Sequence, residues 1–124
     1  MSKIYIALDD NEIDLFITQK MILMVDPEAK IFTFSDHYKF LFFLQEINNS
    51  KDELVFFIDL RMTGIDGFQV IDKIQAHIIN RGKLYLLSST IDSLDFQKAH
   101  AHPVITDILT KPLSLFQLKN IVGI

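Results

Sequence analysis

Short apolar runs alternate along the chain with longer stretches in which apolar positions return every three or four residues. The runs are Lys3–Leu8, Lys30–Phe34, Leu54–Asp59, Lys83–Ser88 and Ile105–Thr110. They are rich in Ile, Val, Phe and Leu and read as strands. Between them, Ile13, Ile17, Met21 and Met24 mark one helical stripe, and Phe40, Leu44 and Ile47 a second. Val70, Ile71, Ile74 and Ile78 mark a third, and Leu115, Leu118 and Val122 the last. Segment 92–101 is the least periodic helix, with Leu94, Phe96 and Ala99. Asp36, Asp66, Asp92 and Ser114 suit helix N-termini, and Gly82 suits a helix stop. Phe40, Phe42 and Phe43 cannot all face inward from one helix, so at least one belongs at the surface.

Five such repeats predict a (βα)5 architecture, and right-handed crossovers place helices on both faces of a parallel sheet. The expected fold is an α/β flavodoxin-like three-layer sandwich with strand order 2-1-3-4-5, forming one domain over residues 1–124. That order puts the first and third strands side by side and makes their C-terminal tips the binding crevice.

Charged residues stand at those tips. Asp9 and Asp10 follow the first strand, Asp59 closes the apolar run Leu54–Ile58, and Lys111 follows the fifth strand. Asp9 and Asp10 could simply cap the next helix, and a lone lysine after a strand is ordinarily a solvated charge. Strand order changes that weighting by bringing the three carboxylates together. Clustered carboxylates repel unless a cation neutralises them. Oxygen-only donors with open positions suit Mg²⁺ better than Zn²⁺. Pro112 fixes the chain after Lys111, and aimed inward the ammonium would pair with Asp59 and then with a phosphoryl oxygen. Ser88, at the end of the fourth strand, could donate to an anionic oxygen held at Asp59; the plain alternative is a hydroxyl-rich turn with Ser89 and Thr90.

The net charge of -4 argues against a nucleic-acid partner. The chain contains no cysteine, which excludes disulfide and thiolate chemistry. Its apolar runs are too short to span a bilayer, and no signal-peptide pattern precedes the first strand, so no membrane association and a cytoplasmic location are expected. His37, His77, His100 and His102 lack metal-ligand spacing and read as surface or helix residues.

Asp9-Asp10, Asp59, Ser88 and Lys111-Pro112 occur in order, 29 residues separating Asp59 from Ser88 and 23 separating Ser88 from Lys111. With the loop from Asp59 to Gly67, they resemble the response regulator receiver domains of two-component signalling across essentially the whole chain. The resemblance implies that Asp59 accepts a phosphoryl group from a phosphohistidine on a sensor histidine kinase or histidine phosphotransfer protein. It implies that Asp9, Asp10, Asp59 and the backbone carbonyl of Arg61 hold Mg²⁺, with Ser88 and Lys111 completing the site. It further implies a signalling domain rather than an enzyme, whose phosphorylated form changes its contacts with a downstream protein. The family's output face, the fourth helix with the fifth strand and helix, would carry Leu94, Phe96, Ile108, Phe116 and Lys119.

Three departures from the family pattern stand out. Thr63 stands where proline is usual, and Ile108 stands where an aromatic ring usually switches. Arg61 and Thr90 occupy variable positions flanking the site. A phosphohydrolase of the haloacid-dehalogenase type would need a carboxylate two residues after Asp59, where Arg61 lies, and a pseudo-receiver would have lost the acidic and basic residues. A dinucleotide-binding module would need a glycine-rich turn after the first strand, where Asp9-Asp10-Asn11-Glu12 stands.

Overall fold

The computed structural model describes residues 3–47, 52–78 and 82–123; the side chains of His77 and Ile78 lie outside the described set. The elements in order are β1 (Lys3–Leu8), α1 (Glu12–Val25), β2 (Lys30–Phe34), α2 (His37–Glu46), β3 (Glu53–Asp59), α3 (Gly67–Ile78), β4 (Gly82–Ser88), α4 (Ser93–Ala101), β5 (Asp107–Thr110) and α5 (Leu115–Val122). All strand pairs are parallel, in the order β2-β1-β3-β4-β5.

Strand side chains alternate between the two faces of the sheet, and both faces are apolar. Ile4, Ile6 and Leu8 of β1 pack with Phe56, Ile58, Phe40, Val70, Ile71 and Ile74 under α2, α3 and α4. Tyr5 and Ala7 point the other way and join Val55, Phe57, Leu15, Ile22, Leu118 and Ile121 under α1 and α5. Burial of each large side chain contributes roughly 1.5–3 kcal/mol, so these two layers hold the sheet's edges in register. Among the described residues, no helix is long and apolar enough to cross a membrane.

The α1 stripe differs from the expected one. Its buried residues are Leu15, Thr18, Ile22 and Val25, whereas Ile13 and Met24 are 71% and 66% exposed. The helix is apolar around most of its circumference, so its sequence offers more than one candidate inward face. Segment 92–101 is helical, capped by Asp92. Strand β5 starts two residues later than Ile105. Of the three phenylalanines of α2, Phe40 is buried, Phe43 packs on Phe32 and Phe34, and Phe42 is exposed.

Gly82 begins β4 instead of stopping a helix. A Cβ there would lie 1.9 Å from the Leu54 carbonyl oxygen, so only glycine allows β4 to start this close to β3. Gly82→Ala is expected to destabilise the fold by about 1–3 kcal/mol. Urea denaturation measures this, and an unchanged midpoint would show that the strand start yields freely.

Candidate functional site

Parallel pairing gathers the C-terminal ends of β1, β3, β4 and β5 on one sheet edge, with β1 directly beside β3. Asp9 follows β1, Asp59 ends β3, Ser88 ends β4 and Lys111 follows β5. Asp9, Asp10 and Asp59 each offer a carboxylate oxygen within 4.8 Å of the others. Lys111 Nζ lies 2.9 Å from Asp9 Oδ2 and 3.2 Å from Asp59 Oδ1. It also lies 2.9 Å from Asp14 Oδ2. The ammonium thus donates to Asp9 and Asp14 and pairs in charge with Asp59.

Local chemistry sets these positions. The Asp9 N–H donates to the Phe34 carbonyl at 3.1 Å, continuing the β1–β2 pairing past the strand end. Asp9 Oδ1 accepts the Asn11 N–H at 2.9 Å, which leaves Oδ2 for Lys111. Neither Asp9 nor Asp10 caps α1. Asn11 does so, its side-chain oxygen accepting the N–H groups of Ile13 and Asp14. Exposed Asp10 instead accepts the Thr63 N–H at 2.9 Å, tying the loop after β3 to the end of β1. A proline at position 63 could not donate this bond, so Thr63 secures the loop by a different means. Gly67 opens α3 close against the end of β3. A Cβ there would lie 2.8 Å from the Asp59 carbonyl oxygen and 2.6 Å from Leu86 Cδ2. At Lys111 the backbone N–H donates to the Ser88 carbonyl at 2.9 Å, and the Lys111–Pro112 peptide is cis.

The charges act strongly on one another because the site is largely buried. Burial, then the charge on Asp9, pushes the Asp59 carboxyl up to about 6, and Lys111 opposes the rise. Burial lowers the Lys111 pKa, but its bonds to Asp14 and Asp9 and the charges of Asp9 and Asp59 outweigh this and hold it above the ordinary lysine value. Burial and the Asp9 charge together thus outweigh Lys111 at the Asp59 carboxyl.

Ser88 is buried, and its hydroxyl donates to the Thr90 carbonyl at 2.6 Å. The Arg61 guanidinium turns away from the carboxylates, pairing with Asp95 of α4 at 2.6 Å and reaching the Thr90 carbonyl at 3.5 Å. Asp95 also accepts the Asp92 N–H within the α4 capping box, so Arg61 links the loop after β3 to the start of α4. On the expected output face, Leu94, Phe96 and Phe116 are exposed. Ile108 is buried in the core and does not belong to that surface. His102 pairs with Asp72, His100 lies near Asp107, and His37 packs at a tilt against Tyr38.

Sequence reasoning placed Asp9, Asp10, Asp59 and Lys111 together, and they are together. It missed Asp14, Asn11 and Asp95. The signal for Asp14 was its place in the first turn of a helix that starts at the site, one turn beyond Asp10.

No family profile matches the chain, and no curated protein sequence matches it. Solved structures do. A two-component response regulator from Cytophaga hutchinsonii superimposes with a TM-score of 0.89 at 26% identity, covering 98% of this chain and 95% of that one. A response regulator receiver protein from Dyadobacter fermentans gives 0.88 at 27% identity, covering 98% and 96%. A chemotaxis protein of Vibrio cholerae shares the fold, with a TM-score of 0.71 at 20% identity over 99% of this chain and 97% of that one. The chain has the flavodoxin-like (βα)5 fold and is similar over nearly its whole length to these response regulator receiver proteins.

Proposed function

We propose that this chain is a receiver domain that accepts a phosphoryl group on Asp59 from a phosphohistidine of a sensor histidine kinase or histidine phosphotransfer protein. The observation that carries the reading is the Lys111 ammonium set between Asp9 and Asp59 in a half-closed acidic cluster at the sheet edge. An Asp59 oxygen would attack phosphorus, the phosphorus–nitrogen bond would break with its electron pair going to the imidazole, and the imidazole would take a proton from solvent. The Lys111 ammonium is within reach of an oxygen on the transferred group, and the Ser88 hydroxyl could reach it by turning from Thr90.

Asp9, Asp10, Asp59 and the Arg61 carbonyl would hold Mg²⁺. The fit rests on three oxygen donors within 4.8 Å of one another, and on an Asp59 carboxyl driven up by burial and then by the charge of Asp9. When bound, the ion supplies positive charge to the phosphoryl oxygens. The reading is of a cytoplasmic signalling acceptor and not an enzyme: the position two residues beyond Asp59 holds Arg61, paired with Asp95, where an acid–base carboxylate would be needed. A protein donor is supported by the exposed apolar edge of α1, Ile13, Phe16, Ile17 and Met24, which begins beside the cluster. Exposed Leu94, Phe96 and Phe116 offer a surface for a downstream protein.

Incubation with a small-molecule phosphodonor and Mg²⁺ is expected to add one phosphoryl group by intact-mass analysis. Chelation of the metal should suppress the addition, and Asp59→Asn should abolish it. Stoichiometric labelling of Asp59→Asn would overturn the assignment.

A further inference from the structure

We infer that Asp14 is a positioning residue that holds the Lys111 ammonium toward α1 and competes for it with any anion seated at Asp59. The inference rests on the phosphoacceptor reading and concerns how that site is tuned.

Lys111 Nζ donates to Asp9 and to Asp14 and forms a third, longer ion pair with Asp59 at 3.2 Å. An anionic group on Asp59 must compete for this cation with the two carboxylates that accept its hydrogen bonds, Asp9 and Asp14. Asp9 and Asp59 belong to the carboxylate cluster suited to a metal, and Asp14 does not. When a cation occupies that cluster, Asp14 remains as the carboxylate that still draws on Lys111 alone. Its place is fixed, because it sits in the first turn of α1 and its N–H donates to the Asn11 cap at 3.2 Å. It is also the most solvated of the three partners, its side chain 34% exposed against 7% for Asp9 and 5% for Asp59. Solvent weakens such a bond without abolishing it. Asp14 therefore acts as a restraint that an incoming dianion can break at a cost.

A purely structural role makes the opposite prediction. An aspartate in the first turn of a helix interacts favourably with the helix N-terminus, so its loss would loosen the site and not favour an anion. Titration calorimetry with beryllofluoride in excess Mg²⁺, a mimic of the phosphoryl group, separates the two. Asp14→Asn and Asp14→Ala should each bind the mimic about two- to fivefold more tightly than the parent, as expected from loss of one partly solvated ion pair. Glu12→Gln, which removes the same charge from the same turn but has no bond to Lys111, should bind like the parent. If the parent binds no beryllofluoride, the phosphoacceptor reading falls and this inference with it. If the parent binds while the Asp14 variants bind equally or more weakly, the reading stands and the inference is overturned. Equal tightening in Glu12→Gln would assign the effect to net charge, and tightening in Asp14→Asn alone would assign it to the new amide; either result overturns the role of Asp14.

Discussion

Lys111→Met is expected to destabilise the chelator-treated protein by roughly 3 kcal/mol near neutral pH, because it strips the counter-charge from buried carboxylates. For a chain of this size that corresponds to a fall of about 10 °C in Tm. The methionine keeps most of the aliphatic stem, so the loss reports charge and not volume. The Lys111 side chain is only 13% exposed, and Asp9 and Asp59 are more deeply buried still, so water cannot replace the ammonium. Two consequences distinguish this cause from general damage. The deficit should shrink as pH falls toward 5, where the unpaired Asp59 carboxyl takes up a proton, and added Mg²⁺ should recover part of it by binding the native state. Thermal melts with chelator at two pH values, and with Mg²⁺, measure all three. A deficit independent of both pH and metal would show that Lys111 contributes packing alone.

The parts of this molecule that the sequence made legible are those fixed by backbone periodicity. Strand-length apolar runs ending in Asp59 and Ser88 could only belong to a buried parallel sheet, and a parallel sheet delivers all its C-terminal ends to one edge. Three of the N-caps were equally legible, though the Asn11 cap of α1 was not: the side chains of Asp36, Asp92 and Ser114 accept the N–H groups of Tyr38, Asp95 and Gln117. What failed was the rotation of α1. Ile13, Phe16, Ile17 and Met24 are as apolar as the residues that are buried, and Thr18 interrupts the true inward stripe. The choice between the faces is made by tertiary packing against α5 and the sheet, which no local pattern encodes. Asp14 was lost with it, because turning Ile13 and Ile17 inward misplaces the whole first turn. Arg61 was read as a flanking residue, but its partner Asp95 lies 34 residues away on α4, a separation that spacing rules do not bridge.

Asp59→Asn is expected to make the metal-free protein more stable near neutral pH, and increasingly so as pH rises from about 4 to about 7. The cause is the carboxyl itself. Its ordinary pKa is 3.8, and burial with the neighbouring Asp9 charge raises it to about 6 in the folded chain. A carboxyl whose folded pKa lies above its unfolded one favours folding fully below the unfolded value and loses that contribution as pH climbs through the folded value. Ionising Asp59 in the fold therefore costs stability over the window from about 4 to 6, by roughly 3 kcal/mol at most. Asparagine has nearly the same shape and no charge to develop, so the variant escapes this loss. Its advantage over the parent should be smallest near pH 4 and reach roughly 2–3 kcal/mol near pH 7. Urea denaturation of both proteins across that range, with chelator present, reads the difference directly and cancels the contributions of carboxylates remote from the cluster. Added Mg²⁺ should narrow or reverse the gap, since the ion binds the parent's full carboxylate set and stabilises it by mass action. A difference that stays constant with pH would mean that Asp59 titrates as an ordinary carboxyl, and that Lys111 already balances the charge of the cluster without a metal.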